Sequence, residues 1–418
     1  MDKTRDLITK FSYLLAIWLT PSNLFYKFFE SRAYVNGRLV DYLIPKVYVL
    51  DLAVIAFVVV SFINHKKLIK KVDLDKNKLL KALVILLGVL VFRQLFSDQW
   101  SLSQHWVVSL IYLARIGLYL LFAFYVMRGW KRLKTITMPD LIITGLFQLT
   151  LAIYQFIYQK PLLAYKWLGE SKIDLGIGIA QHNFAGVEQV LAYGTTAHPN
   201  ILAGTVVFFW LWLLKLSQNW PRKNRDKKIT LLGLGLLAVL SVIFMTQSIT
   251  ALLGLILALV VWKFQKKISG QQTALFLLSI ILLVPILVHF CSLKWDNLSL
   301  ARRSRLNSAG LRLLINNPLW GTGLMRSTTQ IESVQTNPER VRFVQPPHQL
   351  IILWLAETGL LGLAIMLLMI KIFNHNQFFH KKNFYMLVFL AVLMSLDHYL
   401  LTSNSGLMIL VLALFLPG

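Results

Sequence analysis

Residues 105–134 read HWVVSLIYLARIGLYLLFAFYVMRGWKRLK. The part from 105 to 127 is apolar almost throughout and long enough to cross a hydrocarbon core of about 30 Å. It ends on a basic cluster, Arg128, Lys131, Arg132 and Lys134. Lysine and arginine collect on the cytoplasmic side of membrane segments, so this one stretch predicts both a span and its direction, outside to inside. One charge, Arg115, falls within the run. A charge inside a membrane should face the protein interior and find a partner there.

The same pattern recurs along the chain. Of 418 residues 56% are hydrophobic, and the apolar runs predict about twelve transmembrane helices. They fall at 7–20, 43–63, 79–97, 105–127, 140–159, 198–217, 229–246, 249–265, 273–291, 348–370, 383–399 and 403–417. A soluble helical protein would show amphipathic stripes instead. The expected fold is therefore an all-α integral membrane protein, a single polytopic domain over residues 1–418. With the N-terminus inside, the clusters Lys66–Lys81, Arg128–Lys134, Arg222–Lys228 and Lys263–Lys267 all face the cytoplasm, as does the C-terminus. Lys3, Arg5 and Lys10 before the first run fit a retained anchor. The net charge of +25 serves this sidedness, with attraction to anionic membrane lipids as a secondary effect, and does not indicate nucleic acid. A lone cysteine, Cys291, excludes a disulfide framework and a thiolate metal cluster.

Two outer loops are long, 160–197 and 292–347, and the second breaks the charge rule. It holds Arg302, Arg303, Arg305, Arg312, Arg326, Arg340 and Arg342 on the face where positive charge is normally sparse. Arg302, Arg305 and Arg312 share one face of a helix, with Leu300, Leu306, Leu311, Leu313, Leu314 and Ile315 interleaved and Asn316-Asn317-Pro318 as the stop. This predicts a short interfacial helix. Non-specific headgroup binding is the plain reading of such a helix. The preference for arginine points further, to specific phosphate binding, because guanidinium presents a bidentate fork to phosphate oxygens.

Two histidines open spans from the same outer side. His198 precedes Pro199-Asn200 and falls at the N-cap of a helix, a position that on its own is equally a simple helix start. His348 follows Pro346-Pro347 in a helix first turn, where the dipole disfavours imidazolium and a neutral ring can accept a hydroxyl proton. Asp397-His398-Tyr399, at the outer end of the eleventh span, can orient His348 or bind an acceptor. Glu357 lies deeper and on the opposite helix face from His348, so a structural hydrogen-bonding role is expected, with Arg93 or Arg115 as candidate partner. No outer loop carries a DxD or DxE pair with clustered acids, and there is no HExxH, paired-cysteine or Walker A signature. The chemistry is thus expected to need no metal, no nucleotide and no cofactor.

These residues together resemble the O-antigen ligase and Wzy-type polymerase superfamily, bacterial membrane glycosyltransferases of GT-C type. The matching stretches are His198-Pro199-Asn200-Ile201-Leu202-Ala203-Gly204, then Arg305 followed by Pro318-Leu319-Trp320-Gly321-Thr322-Gly323, then His348-Gln349-Leu350 leading to Glu357-Thr358-Gly359-Leu360-Leu361-Gly362, and Asp397-His398-Tyr399-Leu400-Leu401-Thr402. The resemblance covers residues 190–405. Gln349 stands where relatives usually have Asn, and Ser248-Ile249-Thr250 lacks the arginine that often follows the serine. Arg115 or a loop arginine must then take that role.

The resemblance implies transfer of a glycan from undecaprenyl diphosphate to a glycan or lipid acceptor, as in lipopolysaccharide assembly, on the outer face of the cytoplasmic membrane. His348 and Arg305 would be catalytic, Arg302, Arg303 and Arg312 would bind the diphosphate, and His198, Asn200, Asp397 and His398 would position substrate. A polysaccharide polymerase of the same family shares this chemistry. A flippase for lipid-linked oligosaccharide is the competing class. It predicts polar residues at the centre of several spans and a pseudo-repeat, whereas here polarity gathers at the outer mouth.

Overall fold

The computed structural model describes residues 3–69, 88, 90–91, 105–163, 165–176, 178–218, 220–221, 225–265, 270–294, 298–335, 344–375 and 383–415. The backbone is mostly helical. Its main helices are α1 (Lys3–Trp18), α2 (Val49–Ile69), α3 (Trp106–Tyr158), α4 (Pro199–Ser217), α5 (Arg225–Thr246), α6 (Ile249–Phe264), α7 (Gly270–Lys294), α8 (Leu298–Asn316), α9 (Leu350–His375), α10 (Phe384–Leu396) and α11 (Asn404–Phe415). Four of the described helices are long and apolar enough to cross a membrane, at 106–158, 199–217, 225–246 and 350–368. Shorter apolar helices occupy Val49–Asn64, Ile249–Phe264, Leu275–Cys291, Phe384–Leu396 and Asn404–Phe415. The expected span at 79–97, with Arg93, lies almost wholly outside the described residues.

Helix position follows side-chain pattern. α4 is apolar all round, with Phe208, Phe209 and Trp212 fully buried, and sits inside the bundle. α10 is buried on every side too and packs against α6 and α7. α5 and α7 instead turn Leu234, Leu237, Leu240, Leu275, Leu282 and Ile286 outward. Exposed apolar rows on hydrogen-bonded helices are stable where lipid covers them.

Several expected boundaries shift. The spans expected at 105–127 and 140–159 form one run of helical backbone, the 53-residue α3, with Pro139 inside it. That run cannot be straight. Tyr13 stacks on Phe122 at 6.2 Å and its hydroxyl meets Thr137 Oγ1 at 2.9 Å. On a straight helix those two residues would stand about 22 Å apart. The contacts require α3 to bend between them. The span expected at 383–399 stops at Leu396, because Asp397 takes an extended conformation (φ −148°, ψ 152°).

The segments expected on the outer side are more structured than their sequence suggests. Residues 25–48, expected to be a tight connection and the start of a span, form two small antiparallel pairs, β1 (Phe25–Lys27) with β4 (Lys46–Tyr48) and β2 (Tyr34–Val35) with β3 (Arg38–Leu39). α8 is the expected arginine-bearing helix and ends at Asn316. Its apolar stripe is turned to protein rather than to lipid, however. Leu306, Ala309 and Leu313 are buried against Ala33, Val35, Val40, Leu43 and Ile331 in a second core separate from the bundle. Arg38 Nη1 and Asn36 Nδ2 donate to Glu332 at 3.0 and 3.1 Å on the same side.

The Pro318–Gly323 and Glu357–Gly362 motifs interlock through their backbones. Thr322 N and Gly323 N donate to Ala356 O and Glu357 O, both at 2.9 Å, and Leu360 N donates to Pro318 O at 2.7 Å. Gly359 breaks α9 with φ 64° and ψ −154°, which frees the donors that make this clasp. A Cβ on Gly359 would lie 2.5 Å from the Leu319 carbonyl, and one on Gly321 would lie 2.4 Å from the Glu357 carbonyl carbon. Only glycine fits at either place. The Glu357 carboxylate completes the clasp by accepting from Met325 N, Ser327 N and Ser327 Oγ. The expected structural role of Glu357 matches this geometry, though the hydrogen-bond donors come from the loop.

Candidate functional site

A cavity of about 1390 Å³ lies where the heads of α4 and α9 and the break after α10 meet these loops. His198 and Asn200 reach it from the head of α4, Arg302 and Arg303 from α8, His348 from the turn before α9, and Asp397 and His398 from the break after α10. The β2–β4 segment supplies Arg38, Asp41, Tyr42 and Lys46, and the loop with the hairpin β5 (Gln181–Phe184) and β6 (Val187–Val190) supplies Ile179, Ala180 and Gln181. Ile111, Leu253, Val288 and Leu300 add apolar side chains to the lining. The cavity offers both charged and apolar side chains, which suits an amphiphile with a charged head.

The histidines are set by their helix ends. His198 caps α4, its Nδ1 accepting from Asn200 N at 3.2 Å, so its proton resides on Nε2. Asn200 Nδ2 donates to Asp397 Oδ2 at 3.2 Å, and His398 N donates to Asp397 Oδ1 at 2.8 Å. His398 Nδ1 lies 2.7 Å from Thr402 Oγ1, whose hydroxyl also reaches the His398 carbonyl at 3.3 Å. The contact engages Nδ1 and turns Nε2 away from Thr402. The rings of His348 and His398 are 5.0 Å apart, and Tyr42 meets His398 edge-on at 5.6 Å.

These four groups lie in connections outside the helices themselves. Burial pushes the His348 imidazole well below its usual range, helped by His398, Arg303 and His198 and opposed by Asp397. Burial likewise takes His398 down to about 4 against the pull of Asp397, and it lowers His198. Burial would raise the Asp397 carboxyl, but His398, His348 and Arg303 outweigh it and bring it to about 2. At neutral pH the Asp397 carboxylate and three neutral imidazoles stand beside the Arg303 guanidinium.

Of the residues singled out by sequence, His198, Asn200, Arg302, Arg303, His348, Asp397 and His398 line this one cavity. Arg305 and Arg312 do not. Arg305 is exposed one turn along from Arg302, and Arg312 Nη1 donates to Val334 O at 2.9 Å. The reason is the stripe Leu306, Ala309 and Leu313, which seats α8 so that Arg303, two residues from Arg305 and so on the other side of the helix, faces the cavity. Arg115 also borders the cavity, but Asp51 already matches its charge, receiving Nε at 3.1 Å and Nη2 at 3.1 Å. Tyr42 and Lys46 were not foreseen, since nothing in their local sequence distinguishes them from ordinary loop residues, and Thr402 stood in the Asp397–Thr402 stretch without a role of its own.

Residues 189–367 match the family model described as O-Antigen ligase. No curated protein matches the chain.

Proposed function

We propose that this chain, whose residues 189–367 match the family model described as O-Antigen ligase, is a membrane glycosyltransferase of the ligase and polymerase type and transfers a glycan from undecaprenyl diphosphate to an acceptor hydroxyl in the cavity between α4, α8 and α9. The reading is of a single polytopic GT-C-type unit of about twelve spans in the bacterial cytoplasmic membrane. Both termini are cytoplasmic, and the cavity opens outside.

The acceptor oxygen attacks the anomeric carbon in line with the bond to the diphosphate and inverts that centre. The new C–O bond forms as the carbon–phosphate-oxygen bond breaks. The hydroxyl proton passes to His348, kept neutral by burial. Negative charge grows on the departing diphosphate, and Arg303 with Arg302 stabilises it, so the step needs no metal. Arg305 stands at the rim, one turn from Arg302. Asp397, fixed by Asn200, and His198, with its proton on Nε2, position the acceptor and sugar hydroxyls. The apolar lining residues receive the first isoprene units, and the β5–β6 loop covers the sugar. The carrier bond supplies the driving force, so no nucleotide is required.

The observation that carries this reading is that a partly buried histidine, held neutral, and a guanidinium share one cavity with apolar lining residues, within the matched region. The test is reconstitution of the protein in proteoliposomes with a defined lipid-linked glycan and candidate acceptors. Mass analysis should find elongated acceptor together with free undecaprenyl diphosphate. Flipping of the donor without release of the diphosphate would sink the proposal and favour a transporter.

A further inference from the structure

His348, Asp397 and His398 each bring a ligand atom into a group in which all lie within 4.8 Å of one another. We propose that this trio is a binding site for a divalent transition ion of the zinc class, and that the bound ion switches the transfer site off. Two imidazoles and a carboxylate are a borderline nitrogen and oxygen set, the kind that zinc takes with a further position left open. Magnesium and calcium prefer all-oxygen shells and do not fit it.

The surroundings are those of an oriented site. His398 is held through Nδ1 by Thr402 at 2.7 Å, which leaves Nε2 as its ligand atom. Asp397 is fixed through Asn200 on one oxygen and His398 N on the other, and each oxygen keeps a further lone pair. Partners of this sort set the ring tautomer and carboxylate direction in metal sites. On the third ligand, His348 Nδ1 is buried without a hydrogen-bond partner. Adjacent ligand atoms on a tetrahedral ion with bonds of about 2.0–2.1 Å stand roughly 3.3 Å apart. The trio needs to contract by no more than about 1.5 Å from its present spacing, within the reach of side-chain rotation. Arg303 opposes a cation here, and the Asp397 carboxylate offsets it. The fourth ligand position faces the cavity, open to water or a diphosphate oxygen.

The inhibitory consequence rests on the proposed function, because a His348 ring engaged by a metal no longer takes the acceptor proton. The binding itself does not. Purified full-length protein in lipid nanodiscs is titrated with cobalt(II) alone, read by its visible ligand-field bands, and with zinc by equilibrium dialysis. The expected result is one ion per chain with a four-coordinate cobalt spectrum. Affinity should fall at least tenfold in His348→Gln and in His398→Gln, and stay unchanged in His182→Ala on the exposed β5–β6 hairpin. If His398→Gln is not monodisperse, His348→Gln at the cavity edge decides. Absence of saturable binding, or equal binding in His348→Gln, overturns the site. In the reconstituted transfer assay zinc should stop turnover and a chelator should restore it. Turnover indifferent to zinc at saturating occupancy overturns the switch. Specific cobalt binding in a protein that never transfers glycan leaves the metal site standing and removes the proposed function instead.

Discussion

Asn200 Nδ2 donates to Asp397 Oδ2 across 3.2 Å and so ties the first turn of α4 to the break that follows α10. The two residues are 197 positions apart in the chain, and both border the cavity. The bond fixes a buried carboxylate beside the histidine pair. Truncating Asn200 to Ala leaves Asp397 with one donor fewer in a largely dry place, a loss of about 1–3 kcal/mol. The expected outcome is a lower melting temperature and a rate reduced by about tenfold or more, with donor binding little altered. An Asn200→Ala protein with wild-type rate would show that Asp397 needs no such anchor.

The two arginines of α8 separate two accounts of the leaving group. Arg303 faces the cavity and Arg305 is exposed. Arg303→Ala should cut turnover by about 10²–10³, the usual scale for removing one group that stabilises developing charge. Arg305→Ala, at the rim, should cost less than about tenfold, mainly through weaker donor binding. Arg303→Lys should recover only part of the rate, because the guanidinium fork is lost. The opposite order of effects would mean that α8 turns when donor binds, bringing the Arg305 side inward.

His348→Ala should lower turnover by about 10²–10⁴, the range for general-base catalysis, while lipid-linked donor still binds. Single-turnover kinetics with pre-bound donor measure this directly. Retention of most of the rate would pass proton acceptance to His398, which has a ring nitrogen in the same cluster.

What could be read from the sequence, and what could not, divides along the range of the interactions. Apolar length and lysine placement are local properties, and they located the helices from Val49 to Phe415 to within a few residues at most ends. Pro199 and Pro347 marked helix starts, which put His198 and His348 near the cavity. Contacts between distant segments were hidden. Arg115 was expected to need a partner, but Asp51 as that partner depends on α2 and α3 packing side by side. The placing of α8 was hidden for the same reason, with Arg302 of the expected face at the cavity and Arg305 and Arg312 away from it. Arginine spacing shows which residues share a face, whereas the burial of Leu306, Ala309 and Leu313 against residues 33–44 decides which face meets the cavity. No periodicity in the α8 sequence could announce that partner.

Gly359 gives a prediction about stability rather than chemistry. It takes φ 64° inside α9, and the bend lets Leu360 N reach Pro318 O at 2.7 Å. An alanine there meets two obstacles at once. Its backbone must hold a strained conformation, at about 1–3 kcal/mol, and its Cβ must displace the Leu319 carbonyl, 2.5 Å away and itself part of the clasp. The backbone cannot yield without breaking the hydrogen bonds from Thr322 and Gly323 to Ala356 and Glu357. Gly359→Ala should therefore lower the melting temperature and raise amide exchange across residues 318–327, where the Glu357 carboxylate holds Met325 and Ser327. Because α8 leads directly into that segment, Arg303 should lose its fixed place and the rate should fall as a consequence of loosening. Wild-type melting and exchange in Gly359→Ala would show that the clasp does not hold the arginine helix in position.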